Sequence, residues 1–156
     1  MVKKCDHRSV GMLVWRDGKI LLIERKRPPF GFAPPAGHLD NDDDYEVAAK
    51  RELLEEVGLD TINIELLTEG KKDNPCRRED GSWHYWKIYN FNATGEINKS
   101  DTETKQAKFF STGEIVILAE LAARYTAGEI SDDEWIKSPG LEPVWCEWFK
   151  ELKIIN

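Results

Sequence analysis

Apolar residues fall along the chain in short blocks separated by turn-forming stretches, and the period inside the blocks changes from two to about 3.6 and back. HRSVGMLVW (7–15) and KILLIERK (19–26) are β-branched and aliphatic runs joined through Arg16-Asp17-Gly18. An Asp-Gly step between two such runs is a strong hairpin signal, so an antiparallel strand pair is predicted. RPPFGFAPPAG (27–37) follows, and its four prolines exclude helix and predict a shaped loop. YEVAAKRELLEEV (45–57) consists largely of good helix formers, with Gly58 placed to end the helix. INIELLTEG (62–70) and SWHYWKIYNFNATGE (82–96) read as strands on either side of the polar stretch 71–81, and QAKFF (106–110) as a third, short one.

Two helix starts carry the same device. Ser111 precedes Glu114 by three residues, the capping-box spacing, in front of IVILAELAARY, and Ser131 stands in the same relation to Glu134 ahead of WIKS. LEPVWCEWFKELKII (141–155) has the spacing of an amphipathic helix. With no internal repeat, low-complexity segment or linker in its 156 residues, the chain is expected to form one mixed α/β domain over 1–156.

Composition narrows the function. The net charge of −7 argues against general affinity for nucleic-acid backbone or anionic membrane. No apolar run approaches the length of a membrane span, and the protein is expected in the cytoplasm. Cys5, Cys76 and Cys146 are scattered, odd in number and without CxxC or metal-ligand spacing, so reduced, mostly structural thiols are expected.

Candidate chemistry begins at LDNDDDYE (39–46), where Asp40, Asp42, Asp43, Asp44 and Glu46 crowd together. Read as a calcium loop opening at Asp40, the stretch puts Tyr45 where glycine is required and Arg51 where the closing glutamate must stand, which rejects that reading. The next residues are more telling. Glu52, Glu55 and Glu56 lie at i, i+3 and i+4, within about a 100° arc of one helix face. Leu53, Leu54 and Val57 are expected to point largely the other way. A single-sign face costs repulsion between neighbouring turns. Divalent cations remove that cost, and oxygen ligands favour Mg²⁺ or Mn²⁺ over zinc.

The spacing Gly37-x5-Asp43-x7-Arg51-Glu52-Leu53-x-Glu55-Glu56-x-Gly58-Leu59 resembles the Nudix box, G-x5-E-x7-R-E-U-x-E-E-x-G-U with U aliphatic. Asp43, in place of glutamate, is the one departure. The resemblance implies the Nudix fold, an α/β/α sandwich with a central mixed β-sheet. It also implies an enzyme that uses Mg²⁺, with Mn²⁺ as a substitute, to hydrolyse a nucleoside diphosphate linked to another group X. It assigns Glu52, Glu55, Glu56 and the Gly37 carbonyl as metal ligands, with one of these glutamates or one outside the helix as general base; Arg51, four residues before Glu55, can pair with that carboxylate along the helix and hold it. Asp44 falls at the N-cap. A further catalytic glutamate is often drawn from a late loop in this family, and Glu103, six residues before Phe109, is the candidate, with a solvated loop acid as the alternative.

Substrate contacts are less constrained. Arg25 and Arg27 are candidates for phosphate, and Phe32 and Trp86 for a base. At least half of the aromatic group Phe30, Phe32, Trp83, Tyr85 and Trp86 is expected in the core. His38 occupies a variable box position and is not expected to be a ligand; His84 either packs or lines a pocket. Pro75, sixteen residues past Leu59, resembles a marker of ADP-ribose and sugar-nucleotide hydrolases. Nucleoside triphosphates and dinucleoside polyphosphates are the alternative substrates, and a non-hydrolytic nucleotide-binding module is the alternative of another class. The expected partner is a small nucleotide, with no stable nucleic-acid or membrane partner, acting on a monomer or homodimer.

Overall fold

Strict two-residue alternation in the first hairpin divides its side chains between two cores. Strand β1 (Arg8–Arg16) sends Val10, Met12 and Val14 to one face of a sheet and Leu13 to the other. Strand β2 (Lys19–Arg25) sends Leu21 and Ile23 to the first face and Ile20 and Leu22 to the second. Asp17 and Gly18, both at positive φ, make the turn that pairs Arg16 with Lys19. The computed structural model describes residues 2–61 and 63–156; Met1 and Ile62, the latter opening one predicted strand, lie outside them.

Five further strands extend this hairpin: β3 (Phe32–Ala33), β4 (Ala36–His38), β5 (Glu65–Lys72), β6 (His84–Asn92) and β7 (Thr104–Phe110). β1 pairs antiparallel with β2 and β4 and parallel with β6, while β5 pairs antiparallel with β6 and β7 with β2. The sheet is therefore mixed. Helix α1 (Tyr45–Val57) lays Ala48, Ala49, Leu53 and Val57 on the first face. On the second, α2 (Thr112–Thr126) contributes Ile115, and α4 (Pro143–Glu151) contributes Val144, Trp145, Trp148 and Phe149. Helices cover both faces, giving an α/β/α sandwich. A short helix, α3 (Asp132–Lys137), lies between α2 and α4 in the chain.

The Ser111 capping box forms in full, and the Ser131 hydroxyl accepts from Glu134 N. The Pro-rich stretch departs from expectation: it is a loop over 27–31 and at Pro34-Pro35, with short strands between and after. Phe32–Ala33 and Ala36–His38 are extended on either side of Pro34-Pro35, where no N–H exists to join a ladder. Strand β5 runs on to Lys72 because β6 supplies partners as far as His84. The last helix ends at Glu151, and Lys153 turns the chain out at positive φ. Among the described residues, no helix is long and apolar enough to cross a membrane.

Candidate active site

The acidic loop delivers the chain into α1 through unequal contacts. Asp44, extended at φ −116°, caps the helix by accepting from Glu46 N at 2.7 Å. Gly58 closes it in the left-handed conformation, with its N–H on Leu54 O. Arg51 fastens loop to helix. Its guanidinium donates to Asp42 (2.8 Å), to Glu52 (2.8 Å) and to the carbonyls of His38 (3.0 Å) and Leu39 (3.3 Å). The expected contact to Glu55 is the longest of the set at 3.5 Å. Asp43 is exposed, and the carboxylate that reaches Arg51 is that of Asp42.

The box glutamates do not share one solvent face. Glu52 and Glu56 are buried beside Leu53, whereas Glu55 and Leu54 are exposed. The expected division, with all three acids opposite Leu53, Leu54 and Val57, is corrected because α1 is buried over a wider arc than a simple surface helix. Burial pushes the Glu52 carboxyl up to about 7 against the pull of Arg51, and burial together with Glu52 raises Glu56 well above the ordinary range. Two buried carboxylates that repel each other are stable together when one is protonated or when a cation offsets their charge. Gly37 leaves the space that the Glu52 carboxyl fills: a Cβ there would stand 2.2 Å from Glu52 Cδ. Ala36 N donates to Glu56 at 3.2 Å. This all-oxygen donor set fits a hard divalent cation.

A cleft opens over these groups. Glu103 lines it with Glu52 and Glu56, and Arg25 and Arg27 line it from the end of β2. Arg25 is held by donating to Pro29 O at 2.7 Å, and Lys26 N donates to Glu103 O at 2.9 Å, so both ends of this rim are anchored. Phe32 is not at the cleft. It is buried against Phe110 with ring centroids 5.3 Å apart, a core residue rather than a stacking face, because β3 turns it toward the second core. Trp86 borders the cleft but is only 5% exposed; its ring packs edge-on to Trp145 and Trp148, and its Nε1 donates to Asn74.

Sequence reading missed a second group. Asn74, Arg77 and Arg78, from the loop between β5 and β6, form a wall of the same cleft beside Pro75, with buried Glu142 from the start of α4. Arg78 holds Asp40 at 2.5 and 3.2 Å, pinning that loop to the acidic stretch. The adjoining Pro75 was the only hint. His38 and His84 border the cleft too, and Cys5 and Cys76 lie against them, which the scattered cysteine spacing did not predict. Burial drives His38 down to about 4 and lowers His84, so both rings are neutral at pH 7.

A model of the NUDIX domain matches residues 6–133. The chain is similar to an RNA pyrophosphohydrolase of Caulobacter vibrioides, 34% identical over 116 residues that make up 65% of this chain and 66% of the relative. It is similar to an ADP-ribose pyrophosphatase of Methanocaldococcus jannaschii, 34% identical over 114 residues, 71% of this chain and 65% of the relative. It thus spans just under two thirds of the length of these curated relatives. A MutT protein of Methanosarcina mazei shares the fold over 98% of this chain and 96% of its own, with a TM-score of 0.68 at 14% identity. With the domain match, two relatives at this identity and the sandwich agreeing, the chain belongs to the Nudix hydrolase family.

Proposed function

We propose that the protein is a divalent-metal-dependent pyrophosphohydrolase that cleaves a nucleoside diphosphate linked to another group X, with ADP-ribose or a nucleoside diphosphate sugar as substrate and Mg²⁺, replaceable by Mn²⁺, as cofactor. It acts in the cytoplasm on a free nucleotide, as a monomer or homodimer and as a single domain over 1–156. One observation carries this reading: Glu52, Glu56 and Glu103 converge in one cleft with Arg25 and Arg27 on its rim.

Glu52, Glu56 and the Gly37 carbonyl in the cleft would hold the metal, with Glu55 joining them from the exposed side of the same helix turn. A divalent cation held there would offset diphosphate charge and would make a bound water more acidic. Arg51, 2.8 Å from Glu52, favours the ionised carboxylate against the burial that raises it. Arg25 and Arg27 meet phosphate oxygens and stabilise the charge that develops on the leaving oxygen. Glu103, the most accessible acid of the cleft, takes the proton from the attacking water. Water adds to one phosphorus, the P–O–P bridge breaks, and the products are a nucleoside monophosphate and phosphorylated X. Trp86, nearly covered, forms part of the wall that receives the nucleoside.

Pro75 in the cleft wall and the M. jannaschii relative support ADP-ribose. A second reading, hydrolysis of a 5′-triphosphate on a nucleoside or RNA end, is favoured by Arg77 and Arg78 in the same wall and by the C. vibrioides relative. A non-hydrolytic binding module has no need of two acids buried in one cleft at this cost in repulsion.

The test is a substrate panel with Mg²⁺ or Mn²⁺ and product identification: ADP-ribose, nucleoside diphosphate sugars, nucleoside triphosphates, dinucleoside polyphosphates and 5′-triphosphorylated RNA. ADP-ribose should give AMP and ribose 5-phosphate, and Glu56→Gln should lower turnover about 100-fold or more. Inactivity across the panel, or full turnover in Glu56→Gln, refutes the hydrolase.

A further inference from the structure

Cys5, His38, Cys76 and His84 are far apart in sequence, yet their Sγ and ring-nitrogen atoms all lie within 4.8 Å of one another. Cys5 Sγ is 3.5 Å from His38 Nε2 and 3.3 Å from His84 Nε2. A tetrahedral zinc with Zn–S of about 2.3 Å and Zn–N of about 2.0–2.1 Å has ligand-to-ligand edges of about 3.3–3.8 Å. We propose that these four side chains form a structural zinc site, separate from the box carboxylates, that fastens the β5–β6 loop and the N-terminal segment to β4 beside the cleft.

The surroundings are those of ligands. Trp86 Nε1, which can only donate, donates to Asn74 Oδ1 at 3.1 Å, and this identifies the amide oxygen as the atom facing His84. His84 Nδ1, 3.2 Å from that oxygen, therefore carries the proton, which leaves the Nε2 lone pair aimed at the cluster. Each sulfur accepts from the backbone N–H two residues on: His7 N to Cys5 Sγ at 3.3 Å and Arg78 N to Cys76 Sγ at 3.4 Å. Such donors stabilise a thiolate. Gly81 lets the loop close on the sulfur, since a Cβ there would lie 2.1 Å from Cys76 Sγ. Cys5 N to Glu79 O and Glu79 N to Lys3 O tie the N-terminal segment to the same loop. A Cys5–Cys76 disulfide would explain the sulfurs but not the two imidazoles.

Two thiolates and two imidazoles select zinc over Mg²⁺, and four protein ligands leave no open position, which is the mark of a structural rather than a catalytic site. His38 follows Gly37 directly, and Cys76 sits between cleft residues Pro75 and Arg77. Zinc here would hold the substrate-facing wall in place.

Metal analysis of the full chain, loaded with Zn²⁺ and dialysed, should find a single zinc per chain, kept in Cys146→Ser and Glu56→Gln and lost in Cys5→Ser and Cys76→Ser. Loaded instead with Co²⁺, the wild type should show the visible bands of tetrahedral cobalt and a sulfur-to-cobalt charge-transfer band. The cobalt spectrum uses the wild type alone, so it stands even if a serine variant fails to fold. Substoichiometric zinc in the wild type, cobalt without sulfur charge transfer, or zinc lost in Glu56→Gln overturns the site. None of these readings depends on hydrolase activity.

Discussion

Asp42 and Asp43 are neighbours with different surroundings. Asp42 ends on Arg51 at 2.8 Å, and Arg51 in turn holds Glu52 and two loop carbonyls. Asp43 is exposed and, among the described residues, has no hydrogen-bond or ion-pair partner. The one departure from the Nudix box therefore falls where a methylene has little to change, while the adjacent carboxylate anchors the arginine. Asp42→Asn should cost about 1 kcal/mol in urea unfolding, as expected for a charged hydrogen bond that is half screened by water. Asp43→Glu should stay within about 0.5 kcal/mol and leave turnover within about twofold. A tenfold rise in turnover in Asp43→Glu would show instead that aspartate depresses the activity. Glu103 is a residue whose place sequence made visible only as a guess, since nothing in a loop acid six residues before a phenylalanine says which way the loop folds.

At the scale of elements, α1 joins the acidic loop to the buried acids, and its caps set where the glutamates sit. A slip of one residue would rotate Glu52 and Glu56 by about 100° away from the cleft. Asp44 fixes the start through its bond to Glu46 N, and its charge also suits the positive end of the helix. Asp44→Ala should cost about 1 kcal/mol, measured as a shift of the urea midpoint at unchanged slope. A neutral result would mean that packing of Leu53 and Val57 alone sets the register. The cap was legible in sequence, as were the hairpin and the Ser111 box, because each depends on residues within a few positions. The inward turn of Glu52 and Glu56 was not: helical periodicity separates faces, but only the sheet beneath decides how wide the buried arc is.

Stability of the whole molecule carries the mark of its buried acids. Glu142 lines the cleft from the start of α4, and burial raises its carboxyl above the ordinary 4.5 despite the pull of Arg25. The folded state then keeps its proton to higher pH than the unfolded chain, so stability is lost as pH rises from about 4.5 through the folded value. Glu142→Gln should match wild type near pH 4.5 and melt above it at pH 8. Parallel melting curves at both pH values would contradict this origin. Glu52 and Glu56 act with the same sign, and a divalent cation opposes them, so added Mg²⁺ should stabilise the wild type more at pH 8 than at pH 5.

What the sequence determined by itself was whatever local rules govern. The hairpin follows from alternation and an Asp-Gly turn, the helix from its formers and caps, and the family from a 23-residue spacing from Gly37 to Leu59. The tertiary structure decided what depends on convergence from distant positions. It took Phe32 into the core and left Trp86 nearly covered, because either residue type suits core and pocket equally and only the neighbours choose. It added Arg77, Arg78 and Glu142 to the cleft. It also gathered Cys5, His38, Cys76 and His84, whose shortest separation is eight residues, into one cluster. Ligands carried on a single turn or knuckle leave a spacing in the sequence; ligands brought in by separate strands and loops leave none, because it is the pairing of β1 with β4 and β6 that sets the distances between them.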